Sequence, residues 1–163
     1  MLLPQTQWKN SGFHHNHNIN LQNHFRYVGT MDQNKFDQFD LQSLVLPAIR
    51  AVQTQIRWKP GKDISHLRTR ICYGHLHSSS TIPDYEAIIH HVMNEPTAEV
   101  WVYIWHDGSV YPTIVSLYQE QVWLVMFGTN GIMETAFPPT DPDEYLADVR
   151  FKYMGRLQDI TNE

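Results

Sequence analysis

His66 and Arg70 stand four residues apart in Ser65-His66-Leu67-Arg68-Thr69-Arg70-Ile71-Cys72-Tyr73, a stretch that reads as a helix. On a helix that spacing projects both side chains from one face, with Arg68 and Thr69 off it. An imidazole titrates near neutral pH, and a guanidinium keeps its charge and grips phosphoryl oxygens. The pair therefore suits chemistry in which a proton moves while a phosphorane is stabilised. The plainer reading is a solvated helix face carrying ordinary charges.

Other residue groups invite other chemistry. His75-x-His77, His14-His15-Asn16-His17 and His90-His91 could bind a metal, the first of them if it is extended. No carboxylate or cysteine completes a recognisable pattern such as HExxH, so neither metal nor cofactor is assigned. Trp101, Trp105 and Trp123, with Tyr103, Tyr111 and Tyr118, could form a base-stacking platform. They alternate with aliphatic residues at strand period, which suits core and cross-strand packing better. Cys72 is the one cysteine, so no internal disulfide is possible, and it reads as a small buried filler. No P-loop and no dinucleotide-binding glycine fingerprint occurs.

The elements that would position these groups follow from periodicity. The first 40 residues are rich in Asn, Gln and His and read as a polar, partly irregular arm. Residues 41–163 then read as a single α+β domain. Leu41, Leu44, Val45, Ala48, Ile49, Val52 and Ile56 recur on one helical face. Pro47 places the expected helix start near Leu46, and Pro60-Gly61 stops it. Ser65 is the expected cap of the helix bearing His66 and Arg70, which ends near Gly74. Pro83-Asp84 opens a third helix with Tyr85, Ile88, Ile89, Val92 and Met93 on one side.

Four strands follow: Val100–Trp105, Val110–Tyr118, Gln121–Phe127 and Ile132–Phe137. The short links between them require antiparallel neighbours, and Thr129-Asn130-Gly131 predicts a type I′ hairpin. The remaining tail is expected to be a capping helix packed through Leu146, Val149 and Tyr153. The predicted architecture is helices on one face of an antiparallel four-stranded meander.

Net charge is −5, but it is unevenly distributed. Residues 1–82 carry nine Lys/Arg against four Asp/Glu, and residues 83–163 carry three against thirteen. The basic excess is densest at Arg50, Arg57, Lys59, Lys62, Arg68 and Arg70, so one part of the molecule could face a phosphate backbone. No apolar run approaches the roughly 20 residues that span a bilayer, and the N-terminus lacks the pattern of a signal peptide. A cytoplasmic setting with no membrane partner is the expectation.

A His-x-x-x-Arg helix, a Tyr-bearing helix ending in Asn94-Glu95-Pro96, and strands closing on Thr135-Ala136-Phe137-Pro138 come in this order. The arrangement, over residues 59–138, resembles the barnase–EndoU–colicin–RelE class of ribonuclease folds, especially its small bacterial toxin-like members. The resemblance implies a catalytic set of His66, Arg70 and Thr135, with Lys62 positioning the phosphate; Arg68 and Lys59, from the basic run, are further candidate substrate-binding residues. It implies metal-independent cleavage of RNA by attack of the 2′-hydroxyl on its own phosphodiester. It also implies a cognate antitoxin or regulatory protein as partner. Glu134 is an alternative base, but strand alternation would turn it away from the face that Thr135 occupies. The alternative function is a non-catalytic binding or regulatory module on the same scaffold.

Overall fold

The computed structural model describes residues 33–162, with side chains from Asp40 onward. The chain divides into two units, 1–30 and 31–163, and the described residues belong to the second. The His14–His17 cluster and most of the polar arm lie outside the described residues.

Three helices precede the sheet. Helix α1 (Gln33–Thr54) buries Val45, Ala48, Ile49 and Val52 along the expected face. It begins well before Leu46 and passes through Pro47. The proline and Ser43, whose carbonyl the missing N–H would have met, both sit on the exposed side. Water can serve that carbonyl, so the helix continues. Helix α2 (Lys62–Cys72) starts at Gly61, which takes a left-handed φ of 75° and supplies no side-chain cap. Ser65, expected to be the cap, is already inside the helix, and its carbonyl accepts a bond from the Thr69 hydroxyl. Helix α3 (Ile82–Asn94) is capped by Thr81, which exchanges bonds with Asp84, and buries Tyr85, Ile88, Ile89, Val92 and Met93.

The sheet is antiparallel and five-stranded, in the order β4-β3-β2-β1-β5. Its first four strands, β1 (Glu99–Ile104), β2 (Val110–Tyr118), β3 (Gln121–Phe127) and β4 (Met133–Phe137), form the predicted meander. The fifth corrects the four-strand count and the expected helical packing through Val149 and Tyr153, while a short helix does follow at the C-terminal end. The tail forms two short helices, α4 (Pro142–Leu146) and α5 (Leu157–Thr161), and β5 (Phe151–Arg156), which lies between α4 and α5 in the chain, pairs with β1. Asp148 makes the turn between α4 and β5 by binding the Arg150 amide and guanidinium. Val149 projects from that turn, and Phe151 and Met154 turn inward.

The β3–β4 turn also differs from expectation. Gly131 takes a φ of 70°, but Asn130 is not left-handed, so the turn is not type I′. A β-carbon on Gly131 would lie 2.7 Å from that of Ala51 in α1, so glycine also permits this close approach.

Trp123, Val125 and Phe127 of β3 and Val100 and Val102 of β1 meet α1 and α3 in one core. Met154, Leu157 and Ile160 complete it from the C-terminal end. Among the described residues no helix is long and apolar enough to cross a membrane.

Candidate functional site

The site is built at the β4 edge of the sheet. Arg57–Lys59, just before α2, lies along that edge: the Met133 amide donates to the Arg57 carbonyl at 2.8 Å, and Trp58 bridges Met133. Helix α2 then packs against β4 and α3. Lys62, His66 and Arg70 recur every four residues, so they form one basic stripe along α2. Arg68 lies off the stripe and is exposed.

His66 is held by aromatic packing. Its ring lies 5.4 Å from that of Trp58; Trp58 stacks on Tyr85, and Tyr85 meets Trp123 in the core. Two hydrogen bonds lock the stack: Trp58 Nε1 donates to Glu86 at 3.0 Å, and the Tyr85 hydroxyl donates to the Ala136 carbonyl at 2.6 Å. Burial, reinforced by the charges of Arg70 and Lys62, lowers the His66 pKa to about 4. At neutral pH His66 is therefore an uncharged base, able to accept a proton and without one to give as an acid.

Arg70 is buried, at 4% exposure. Its guanidinium carbon lies 5.3 Å from the Phe137 ring centroid and 6.0 Å from that of Tyr73. Nη1 faces His75 Nδ1 at 3.5 Å, and Nε has no hydrogen-bond partner. No carboxylate among the described residues forms an ion pair with it. Burial lowers its pKa, yet arginine keeps its proton at any ordinary pH. A buried cation without a counter-charge costs several kcal/mol, roughly. That cost is the strongest pointer to function in this part of the molecule.

His75 reaches Arg70 because of how α2 ends. Gly74 takes a φ of 72°; its amide bonds to the Ile71 carbonyl, and the next amide, of His75, bonds back to the Arg70 carbonyl at 2.9 Å. This left-handed helix end reverses the chain and lays His75 against Arg70. A guanidinium can only donate, so His75 Nδ1 must accept, which leaves the ring proton of the neutral imidazole on Nε2. Burial and the Arg70 charge both lower the His75 pKa.

Thr135 lies on the strand that α2 packs against, at 8% exposure. It pairs with Met126 and shares a strand face with Phe137, whose ring Arg70 reaches. No hydrogen bond joins Thr135 to His66 or Arg70.

The alternation that would separate Thr135 from Glu134 is interrupted. Phe127 pairs with Met133 and Met126 with Thr135, so Glu134 is the extra residue of a bulge. Its carboxylate binds Lys59 Nζ at 2.8 Å. After burial, that carboxylate is also the next cause of the raised pKa of Tyr111. Lys59 is thus held by Glu134, and Arg57, from the same basic run, anchors the β3–β4 turn by donating to the Asn130 carbonyl at 2.8 Å.

The other groups have settled roles. His77 Nδ1 is engaged by the Ser79 hydroxyl at 2.7 Å, and no set of three metal-ligating side chains gathers among the described residues. Cys72, expected to be buried, is exposed because it sits on the outer side of the last turn of α2. Trp123 is core, whereas Trp101 and Trp105 are only half-buried.

Sequence reasoning found the His66–Arg70 face but took His75 only as a metal ligand. The signal in the sequence is Gly74, whose left-handed helix stop turns the following residue back toward Arg70. Comparison with family models, curated proteins and solved structures finds no match to this chain.

Proposed function

We propose that this chain is a metal-independent endoribonuclease-like domain of the toxin type. The observation that carries the reading is Arg70, a buried guanidinium with an unpartnered Nε and, among the described residues, no carboxylate partner, four residues from a neutral, half-buried imidazole. In this reading His66 takes the proton of an RNA 2′-hydroxyl as the 2′-oxygen bonds to phosphorus. The bond from phosphorus to the 5′-oxygen breaks, that oxygen takes up a proton from water, a 2′,3′-cyclic phosphate remains, and His66 releases its proton to solvent. Arg70 stabilises the phosphorane, Lys62 steers the phosphate, and Thr135 hydrogen-bonds a phosphate oxygen. Arg68 is placed to contact flanking phosphates from the exposed side of α2. RNA is the proposed partner, with a cognate antitoxin or regulatory protein as a second.

The test is incubation of purified chain with labelled RNA in EDTA beside His66→Ala. Cleavage leaving cyclic phosphate ends, and reduced about a hundredfold or more in the variant, supports the reading. Cleavage no higher than in the variant removes it. The burial of Thr135 and the engagement of Lys59 by Glu134 favour a second reading, a non-catalytic binding module. In that case intact RNA would be recovered with the protein still folded.

A further inference from the structure

We propose that Arg70, His66 and His75 together form a binding site for a phosphate group. Its oxygens would accept from the unpartnered Arg70 Nε–H and from His75 Nε2–H, with His66 beside them. The inference rests on the same site as the nuclease reading and deepens it, by adding His75 and naming the group that is held.

Three features of the site bear on this. The guanidinium is almost wholly buried, so its free N–H is a donor taken out of water and left without an acceptor, an arrangement proteins rarely tolerate. A guanidinium fork matches a phosphate or carboxylate edge and nothing cationic or neutral as well. The neighbours on and beside the α2 stripe, Lys62, His66 and His75, are all basic, whereas the nearby carboxylates of Glu86 and Glu134 are bonded to Trp58 and Lys59.

His75 does more than fill space. Because Arg70 holds its Nδ1 as an acceptor, the imidazole is kept neutral and fixed in the tautomer that presents Nε2–H. It serves as a hydrogen-bond donor to the anion and does not act as the acid of the reaction. On the other side of Arg70, Phe137 is buried whereas Tyr73 is 49% exposed, so an anion approaches from the Tyr73 side. A phosphate supplies the missing negative charge, and with it bound the pKa values of both imidazoles should rise.

The experiment uses the full chain, metal-free, and the imidazole nitrogen signals of His66 and His75, assigned with His66→Gln and His75→Gln. Inorganic phosphate and a single-stranded DNA hexanucleotide, whose phosphodiesters lack the attacking hydroxyl, are titrated separately. The expected result is an Nε2–H tautomer at His75 before ligand, and perturbation of both imidazoles as phosphate binds. Arg70→Met should weaken binding tenfold or more, and His75→Gln by about two- to tenfold. Arg156→Met, which removes a cation bonded to the Thr97 carbonyl at the far edge of the sheet, should leave binding unchanged. A response to both ligands names a phosphodiester as the group bound. A response to phosphate alone names a free phosphate or a monoester.

Absence of any response, or a response retained in Arg70→Met or lost equally in Arg156→Met, overturns the site. Should Arg70→Met fail to fold, His75→Gln carries the same decision, and undiminished binding there removes His75 from the site. Phosphate binding without RNA cleavage would end the nuclease reading and leave this site standing. RNA cleavage without binding at Arg70 would do the reverse.

Discussion

Arg70 is a residue whose chemistry and stability point in opposite directions. Its two aromatic contacts contribute roughly 0.5–2 kcal/mol each, against a desolvation cost of several kcal/mol that no carboxylate among the described residues offsets. Arg70→Met keeps the length and the packing and removes the charge. Thermal unfolding of that variant should show stability equal to or above the parent, while RNA cleavage falls by about a hundredfold or more. Loss of several kcal/mol of stability would instead make Arg70 a structural cation.

His66 carries a second signature at this scale. Its folded pKa of about 4 lies below the unfolded value near 6.5, so between these two the unfolded chain binds more protons. Its contribution to stability is complete above pH 6.5 and declines as the pH falls toward 4. Chemical denaturation across that window should show the decline, and His66→Gln should flatten part of it. The acid limb of any His66-dependent cleavage should likewise lie well below pH 6 in the free enzyme.

At the scale of elements, two glycines position the site for different reasons, and substitution separates them. Gly74 ends α2 with a φ of 72° and open space around it, so Gly74→Ala meets only the backbone penalty of about 1 kcal/mol. Gly131, at φ 70°, has the same penalty and also a β-carbon clash of 2.7 Å with Ala51. Gly131→Ala should cost roughly 1–3 kcal/mol more, the range for overpacking. Urea unfolding of the two variants measures the difference. Gly74→Ala should also loosen His75 from Arg70, which the tautomer at His75 reports.

The C-terminal elements bear on the whole molecule. Met154, Leu157 and Ile160 lie in the same core as α1 and α3, and β5 supplies one of the two ladders of β1. A chain ending at Asp148 should therefore lose its cooperative unfolding transition, which circular dichroism would show directly. A merely capping tail would be removed at little cost.

Charge also belongs to this scale. Of the basic run that looked like one nucleic-acid face, Arg57 holds a turn, Lys59 is paired, and Arg70 is buried. Of that run, Arg50, Lys62 and Arg68 are left to meet further phosphates, and the net charge is −5. RNA affinity should then fall gently with salt, with a logarithmic slope of roughly −1 to −2 rather than the steep values of extended basic grooves.

Much of the fold was legible in the sequence because it is written in local periodicity. The buried face of α3 was readable residue by residue, as were the limits of β2 and β3 and the antiparallel meander, since period and link length are properties of neighbouring residues. The start of α1 was hidden by Pro47, whose tolerance depends on which side of the helix meets solvent. The fifth strand was hidden because Leu146, Val149 and Tyr153 mimic helical spacing, and only the vacant edge of β1 makes a strand the better outcome. The His66–Arg70 face was equally readable from a spacing of four. What the tertiary structure alone decided was their surroundings: that Arg70 is buried with no carboxylate beside it among the described residues, that the turn at Gly74 folds His75 onto it, and that Glu134 is a bulge residue spent on Lys59. Those depend on packing between residues far apart in the chain or around a reversed helix end, where no short-range pattern records the partner.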